Sequence, residues 1–345
     1  MQSTTVAVDL AKDVIEIAVQ SERSVERRRL SRKAFALFLV QQPQSRIVME
    51  ACGGAHHWAR VATTHGHEVK LLPPLYVRAY RRRNKTDRAD CSVLLEAVKN
   101  PEILPVPVKT VDAQVIQALH RIRSQWMATR TARINAARGL LRELGIVIPA
   151  GAAKALKQIP ESLADEAVPP LLRDALAELL TEVHQLEDRV RQIERQLAGI
   201  SRADPAIQRL QDISGIGLLT STALKAAAGD AGHFKSGRHL AAWLGLTPRE
   251  YSSGTIRRLG HLSKRGNVYV RMLLIHGARA VMLRAGQLRR DGRSLNHLQS
   301  WALQLKDRVG YNKAACALAN KLARIAWATW RYQRQFDPNH AAAVA

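Results

Sequence analysis

Over the first hundred residues the apolar positions come in short runs and alternations. Residues 4–10, 13–19, 47–49 and 68–72 read as strands set among helix-like stretches, which is the pattern of an α/β domain. The period then changes. Over 111–144 and again over 170–197 the apolar spacing is helical, with a Gly/Pro/Ala stretch at 148–153 between them, so two long helices joined by a loop are expected. In the second of these, Leu172, Leu176, Leu179, Val183, Leu186, Val190, Ile193 and Leu197 recur at alternating steps of four and three, a heptad seam. Such a seam either packs within its own domain or pairs with a second helix or a second protomer. Beyond Ala203 mostly short helices are expected, closed by 313–335, where Trp327 and Trp330 lie on a basic amphipathic pattern and read as core. The chain is therefore read as three regions, 1–108, 109–202 and 203–345: α/β, helical coiled coil, and mainly α.

Charge adds a partner to this picture. The 345 residues hold 53 Lys+Arg against 29 Asp+Glu, a formal net charge of +24, while 46% are hydrophobic. That apolar fraction excludes a disordered basic tail, and the length excludes a single small module. A folded protein this basic expects a polyanion, because each neutralised phosphate releases condensed counterions. The charge is uneven: residues 161–200 hold nine acidic and four basic side chains, a net of −5, which leaves 24 + 5 = +29 for the rest. No uncharged run approaches the ~18 residues of a membrane span, and Asp9 interrupts a signal-peptide reading; a soluble, cytoplasmic protein without a membrane partner is expected. Cys52, Cys91 and Cys316 are widely spaced and odd in number, which supports neither a disulfide framework nor a cysteine zinc site.

The candidate chemistry begins with carboxylates. Asp9 ends one apolar run and Glu50 ends another, and Asp87 and Asp90 stand three apart at the start of a helix, sharing one face. In open α/β sheets functional groups collect at strand ends. Four converging carboxylates would repel one another unless Mg²⁺ or Mn²⁺ neutralised them, and paired metals are a known means of in-line phosphoryl displacement. Beside them the run 78–88 carries six basic residues, among them Arg81, Arg82, Arg83 and Lys85, a rim suited to phosphate.

These residues, in the segments Val8-Asp9-Leu10-Ala11-Lys12, Met49-Glu50-Ala51-Cys52-Gly53 and Lys85-Thr86-Asp87-Arg88-Ala89-Asp90, resemble the DEDD transposases of bacterial insertion sequences, the family numbered one hundred and ten. Pro248-Arg249-Glu250-Tyr251-Ser252-Ser253-Gly254 and the segment from Arg258 to Asn267 are similar to the C-terminal domain of the same family. The resemblance implies a RuvC-like (RNase H-like) first domain whose Asp9, Glu50, Asp87 and Asp90 hold the metal. It implies a nucleophilic serine before glycine, hence Ser253 rather than Ser252. It also implies a structured bridge-type guide RNA, donor and target DNA, a dimer or tetramer on nucleic acid, and action at the bacterial nucleoid.

On spacing alone Ser-Ser-Gly is most often a turn. Its surroundings matter: Arg249, Arg257, Arg258, Lys264, Arg265 and Arg271 are six cations against the single Glu250 in 245–275, a setting that can hold a scissile phosphate. No Gly-x-x-x-x-Gly-Lys-Ser/Thr segment binds a nucleoside triphosphate, which agrees with strand exchange that conserves bond energy in a phosphoserine. Ile213-Ser214-Gly215-Ile216-Gly217 before a helix looks like a helix-hairpin-helix element in which Gly215 and Gly217 open main-chain N–H groups to phosphate; an ordinary glycine turn is the alternative. His65 and His67 read as solvated loop residues. His56 and His57 either line the site beside Glu50 or cap a helix. The leading reading is an RNA-guided DNA recombinase. A metal-dependent nuclease or Holliday-junction resolvase that uses water as nucleophile, and a non-catalytic nucleic-acid scaffold, are the alternatives.

Overall fold

The computed structural model describes residues 4–22, 24–80 and 87–339, and for residues 87–89 the backbone alone. The chain divides into two compact units, Met1–Val111 and Asp112–Ala345.

The first unit is built on a five-stranded sheet of β1 (Thr5–Leu10), β2 (Val14–Gln20), β3 (Val25–Ser31), β4 (Arg46–Glu50) and β5 (Glu68–Leu72), ordered β3-β2-β1-β4-β5. β1, β2 and β3 form an antiparallel meander, whereas β4 runs parallel to β1 and β5 parallel to β4. Strand alternation sorts the side chains between two layers. Val6, Val8, Ile15, Ile17, Ile47 and Met49 share one core with Phe35, Leu39, Trp58 and Ala62 of α1 (Arg32–Gln41) and α2 (Ala55–Thr64). Ala7, Ala18, Val48 and Leu72 face the other way, and after the short α3 (Pro74–Val77) they pack with Cys91, Leu94 and Ala97 of α4 (Asp87–Ala97). β3 was not foreseen, because Val-Glu-Arg-Arg-Arg-Leu-Ser lacks an apolar alternation. It forms by main-chain pairing along the whole of β2, and its charges blunt an otherwise sticky edge. His67 departs from expectation too. It is buried, its Nδ1 accepting from the Ser45 amide at 3.2 Å and its Nε2 lying 2.8 Å from the Leu39 carbonyl, so it ties the start of β5 to α1.

The second unit begins with α5 (Val111–Glu143), α6 (Ala152–Ser162) and α7 (Pro170–Ala203). The expected loop between the long helices thus contains a helix of its own. On α7 the seam residues Leu176, Val183, Leu186, Val190, Ile193 and Leu197 are buried. Leu176 and Val183 share a core with Ile134, Ala137 and Leu141 of α5 and with Ala155 and Ile159 of α6, and Ile193 and Leu197 share one with Ile116 of α5 and Ala226 further along the chain. The ion pairs Arg123–Glu194 at 2.7 Å, Arg130–Glu187 at 3.5 Å and Arg133–Glu182 at 2.6 Å rise along α5 as they fall along α7, so the two long helices are antiparallel. The heptad seam is satisfied in cis. The acidic face of α7 is matched to arginines of α5.

The rest comprises α8 (Pro205–Gln211), α9 (Leu218–Ala228), α10 (Gly237–Trp243), a two-stranded ribbon of β6 (Pro248–Glu250) and β7 (Leu259–Leu262), α11 (Val268–Arg290), α12 (His297–Val309) and α13 (Tyr311–Tyr332). α11 and α13 are 23 and 22 residues long, not the short helices expected. Trp327 and Trp330 are core residues, and the Trp327 indole donates to the carbonyls of Ala231 at 3.0 Å and Phe234 at 3.2 Å.

Candidate active site and serine hairpin

The register of β1 and β4 brings the first two carboxylates together. Their last paired residues are Val8 and Met49, so Asp9 and Glu50 follow side by side at the same end of adjacent parallel strands. Both lie two residues beyond Ala7 and Val48, hence on the face that α4 covers. Nearby, burial pushes the Cys52 thiol up, and the charges of Glu50 and then Asp9 push it further. Asp90 is buried on α4, in line with Val93, Leu94 and Ala97 of the stripe that packs on the sheet. The next residue, Cys91, donates to the Glu16 carbonyl at 3.4 Å. Burial pushes this thiol up to about 12, and the charges of Asp9 and Glu16 act in the same direction.

One carboxylate on this face escaped sequence reasoning. Glu16 is the cross-strand partner of Asp9 in the antiparallel ladder, so both project on the same side; Arg29 lies 3.9 Å from it. The only sequence signal was its place in the second strand. The register that aligns it with Asp9 is set by the β1–β2 hairpin.

The donor set suits a hard divalent cation, since carboxylate oxygens are what Mg²⁺ and Mn²⁺ take. As the side chains stand, no three His, Cys, Asp or Glu among the described residues close into one coordination shell. Asp87 opens α4, but its side chain lies outside the described residues, as do Arg81, Arg82, Arg83 and Lys85. His56 turns away from this chemistry: its Nδ1 accepts from the Lys109 amide at 3.2 Å. Burial, with Lys109 and Arg60 nearby, lowers it to about 4. His57 stands edge-on to Trp58.

In the second unit, Ser252 and Ser253 lie on the hairpin that extends the β6–β7 ribbon. Ser253 and Ile256 exchange main-chain hydrogen bonds of 3.2 and 3.1 Å, closing a two-residue turn over Gly254 and Thr255. Gly254 has φ +57°, the left-handed conformation that a primed hairpin turn requires of its first central residue. The neighbouring serines differ in one respect. The Ser252 hydroxyl donates to Glu250 Oε1 at 2.7 Å and accepts from the Arg258 amide at 3.1 Å. The Ser253 hydroxyl is exposed and has no hydrogen-bond partner among the described residues.

Arg249, Arg257, Arg258, Lys264 and Arg265 are all exposed around this hairpin, and Arg257 approaches Glu250 at 3.5 Å. Arg271 is not part of that surface. It is 7% exposed, and its Nη1 donates to the carbonyls of Leu244 at 2.9 Å and Arg265 at 2.8 Å, so it staples the loop before α11 to the end of α10. The two glycines of the 213–217 segment do different things. Gly215, at φ +91°, presses against Gly277 of α11, where a Cβ on either would meet the other's backbone or a neighbour's side chain. Gly217 is exposed at the N-cap of α9, with open space where a Cβ would be.

Residues 6–146 match the model of a DEDD transposase domain, and residues 207–292 match that of the transposase IS116/IS110/IS902 family. A "Probable family 20 transposase" of Pseudomonas aeruginosa is 41% identical over 98% of this chain and 100% of its own length. The transposase for insertion sequence element IS1111A of Coxiella burnetii is 39% identical over 95% of this chain and 90% of its own. A pilin gene-inverting protein of Moraxella bovis is 25% identical over 84% of this chain and 81% of its own. Carboxylates and serine thus fall inside matched segments, the first two of these relatives align over 95% or more of the chain, and the chain belongs to the IS110 family of insertion-sequence transposases.

Proposed function

We propose that this transposase recombines DNA through a covalent serine intermediate formed at Ser253, with Asp9, Glu50, Asp87 and Asp90 serving a RuvC-like strand-cleaving site. The observation that carries the reading is the contrast at the hairpin tip: Ser252 is engaged on both sides, while Ser253 presents an unshared hydroxyl among exposed cations. In the transesterification, Ser253 Oγ forms a bond to phosphorus as the bond to the departing strand's oxygen breaks. The serine proton is given up and one is gained by the departing hydroxyl, so the phosphodiester count is unchanged. Arg257, Arg258, Lys264 and Arg265 would hold the phosphate and oppose the charge that builds on its oxygens. Bound at the carboxylates, Mg²⁺ or Mn²⁺ would supply charge neutralisation for strand cleavage. A relative named for inverting a gene fits strand exchange better than simple hydrolysis.

Sequence choice is assigned to pairing by a guide RNA, since the basic groups on both units suit phosphate contacts that carry little sequence information. One assay tests the whole reading: labelled DNA incubated with the protein and its nucleic acid, then resolved on a denaturing gel. Ser253→Ala should abolish the protein–DNA adduct, Ser252→Ala should retain most of it, and EDTA should prevent cleavage. An adduct that persists in Ser253→Ala places the nucleophile elsewhere, and cleavage without any adduct in the wild type supports water as nucleophile. Selection of one DNA sequence by protein stripped of RNA would overturn guidance.

A further inference from the structure

Beside the β6–β7 ribbon the second unit contains a groove of about 1470 Å³, larger than the ~300–1,000 Å³ typical of small-molecule pockets. Its walls come from α10, β7, α12, α13 and the segment after α13. Five cations border it, Arg238, Lys313, Lys321, Arg324 and Arg334, against the single acidic residue Asp337. None of the five is ion-paired among the described residues, whereas the arginines that bind α5 to α7 are. Between the cations the surface is apolar and aromatic: Leu246, Trp301, Ile325 and Phe336 line it, and the Lys321 ammonium lies 4.1 Å from the centre of the Trp301 ring.

We propose that this groove binds single-stranded DNA, its phosphates on the five cations and its unstacked bases against the apolar floor around Trp301. Cations without acidic partners attract a polyanion, and an apolar, aromatic floor adds to its binding where that polyanion exposes π-faces. Duplex DNA keeps those faces stacked and offers a convex surface. Position favours DNA over RNA, and this choice alone rests on the Ser253 reading. β7 forms one wall of the groove, and its hairpin reaches Ser253 five residues beyond Pro248 on the partner strand, roughly 17 Å at ~3.3 Å per residue. A strand held in the groove would be presented to the serine within a few nucleotides, already parted from its complement.

Cys316 provides the probe, because it lines the same groove and is partly exposed. Full-length protein freed of nucleic acid is treated with iodoacetamide, and alkylation of each cysteine is followed by peptide mass spectrometry. A twelve-nucleotide single-stranded DNA should slow alkylation of Cys316 at least about fivefold, while a duplex of the same sequence should not. Trp301→Ala should weaken binding of that oligonucleotide roughly tenfold, and Lys321→Gln, a milder change at the rim, should lessen the salt dependence. Unchanged Cys316 reactivity at saturating DNA overturns the proposal. So does equal protection by duplex, or protection that depends on protein concentration without DNA, which would place a second copy in the groove. Stronger protection by single-stranded RNA overturns the choice of DNA. The readout is binding, so it is independent of whether Ser253 proves to be the nucleophile.

Discussion

At the scale of single residues, Gly254 decides how Ser253 is displayed. Its φ of +57° is one that L residues other than Asn and Asp adopt at a cost of about 1 kcal/mol, yet no atom stands within 4 Å of where a Cβ would be. Backbone conformation alone is therefore at stake. Gly254→Ala should lower the melting temperature by only about 2–4 °C and lower the rate of adduct formation several-fold, whereas Gly254→Asn should recover most of it. Equal rates in all three proteins would mean that the turn does not position the serine. Residue chemistry was only partly legible in the sequence. Asp9 and Glu50 were recognisable as strand-end carboxylates because each closes an apolar run. Glu16 was not, since its alignment with Asp9 depends on a hairpin register that composition does not encode. Arg271 misled for a related reason: a cation among cations reads as surface, and only the packing of two loops turns its guanidinium inward.

Among the elements, His120 joins three helices. From α5 its Nε2 lies 3.0 Å from Thr222 Oγ1 on α9, and its Nδ1 lies 3.0 Å from the Tyr269 hydroxyl on α11. Thr222 spends its own hydrogen on the Leu218 carbonyl at 2.6 Å, so the imidazole donates from Nε2 and accepts at Nδ1, a neutral tautomer. Burial, with Arg123 nearby, lowers its pKa from 6.5 to about 4. Between those values the unfolded chain binds more protons than the folded one, so this contribution to stability is present above about pH 6.5 and is lost as pH falls towards 4. The loss should reach at most about 3 kcal/mol. The urea midpoint should drop from pH 7 to pH 4.5 in the wild type and drop less in His120→Gln, in which His56 still titrates in the same direction. Identical drops would show that His120 is not held neutral. The long helices themselves were legible because 3.6-residue periodicity persists over many turns, but the partner of the seam was not. Heptads state that a helix needs an apolar neighbour, and only the ladder of Arg123, Arg130 and Arg133 against α7 identifies that neighbour as α5. β3 remained hidden because an edge strand needs main-chain pairing more than apolar side chains.

For the whole molecule, the two halves of the proposed chemistry belong to separate compact units, the carboxylates within Met1–Val111 and the serine within Asp112–Ala345. A net charge of +24 adds mutual repulsion between protomers in free solution. The buried α7 seam offers no apolar surface to offset it, since α5, α6 and α9 of the same chain pack on it. Assembly should therefore wait for nucleic acid, whose phosphates screen the cations and bring protomers to one substrate. An enzyme organised this way gains safety if the carboxylates of one protomer act with Ser253 of another, because a lone protomer then cannot complete a reaction on DNA. Mixing Asp9→Asn protein with Ser253→Ala protein separates the two arrangements. If the groups act in trans, neither variant alone is active, and mixed assemblies regain recombination to about a quarter to a half of wild type, according to the number of productive pairings. No recovery, with both variants shown by differential tagging to occupy the same complex, would place the carboxylates and the serine that act together in a single chain.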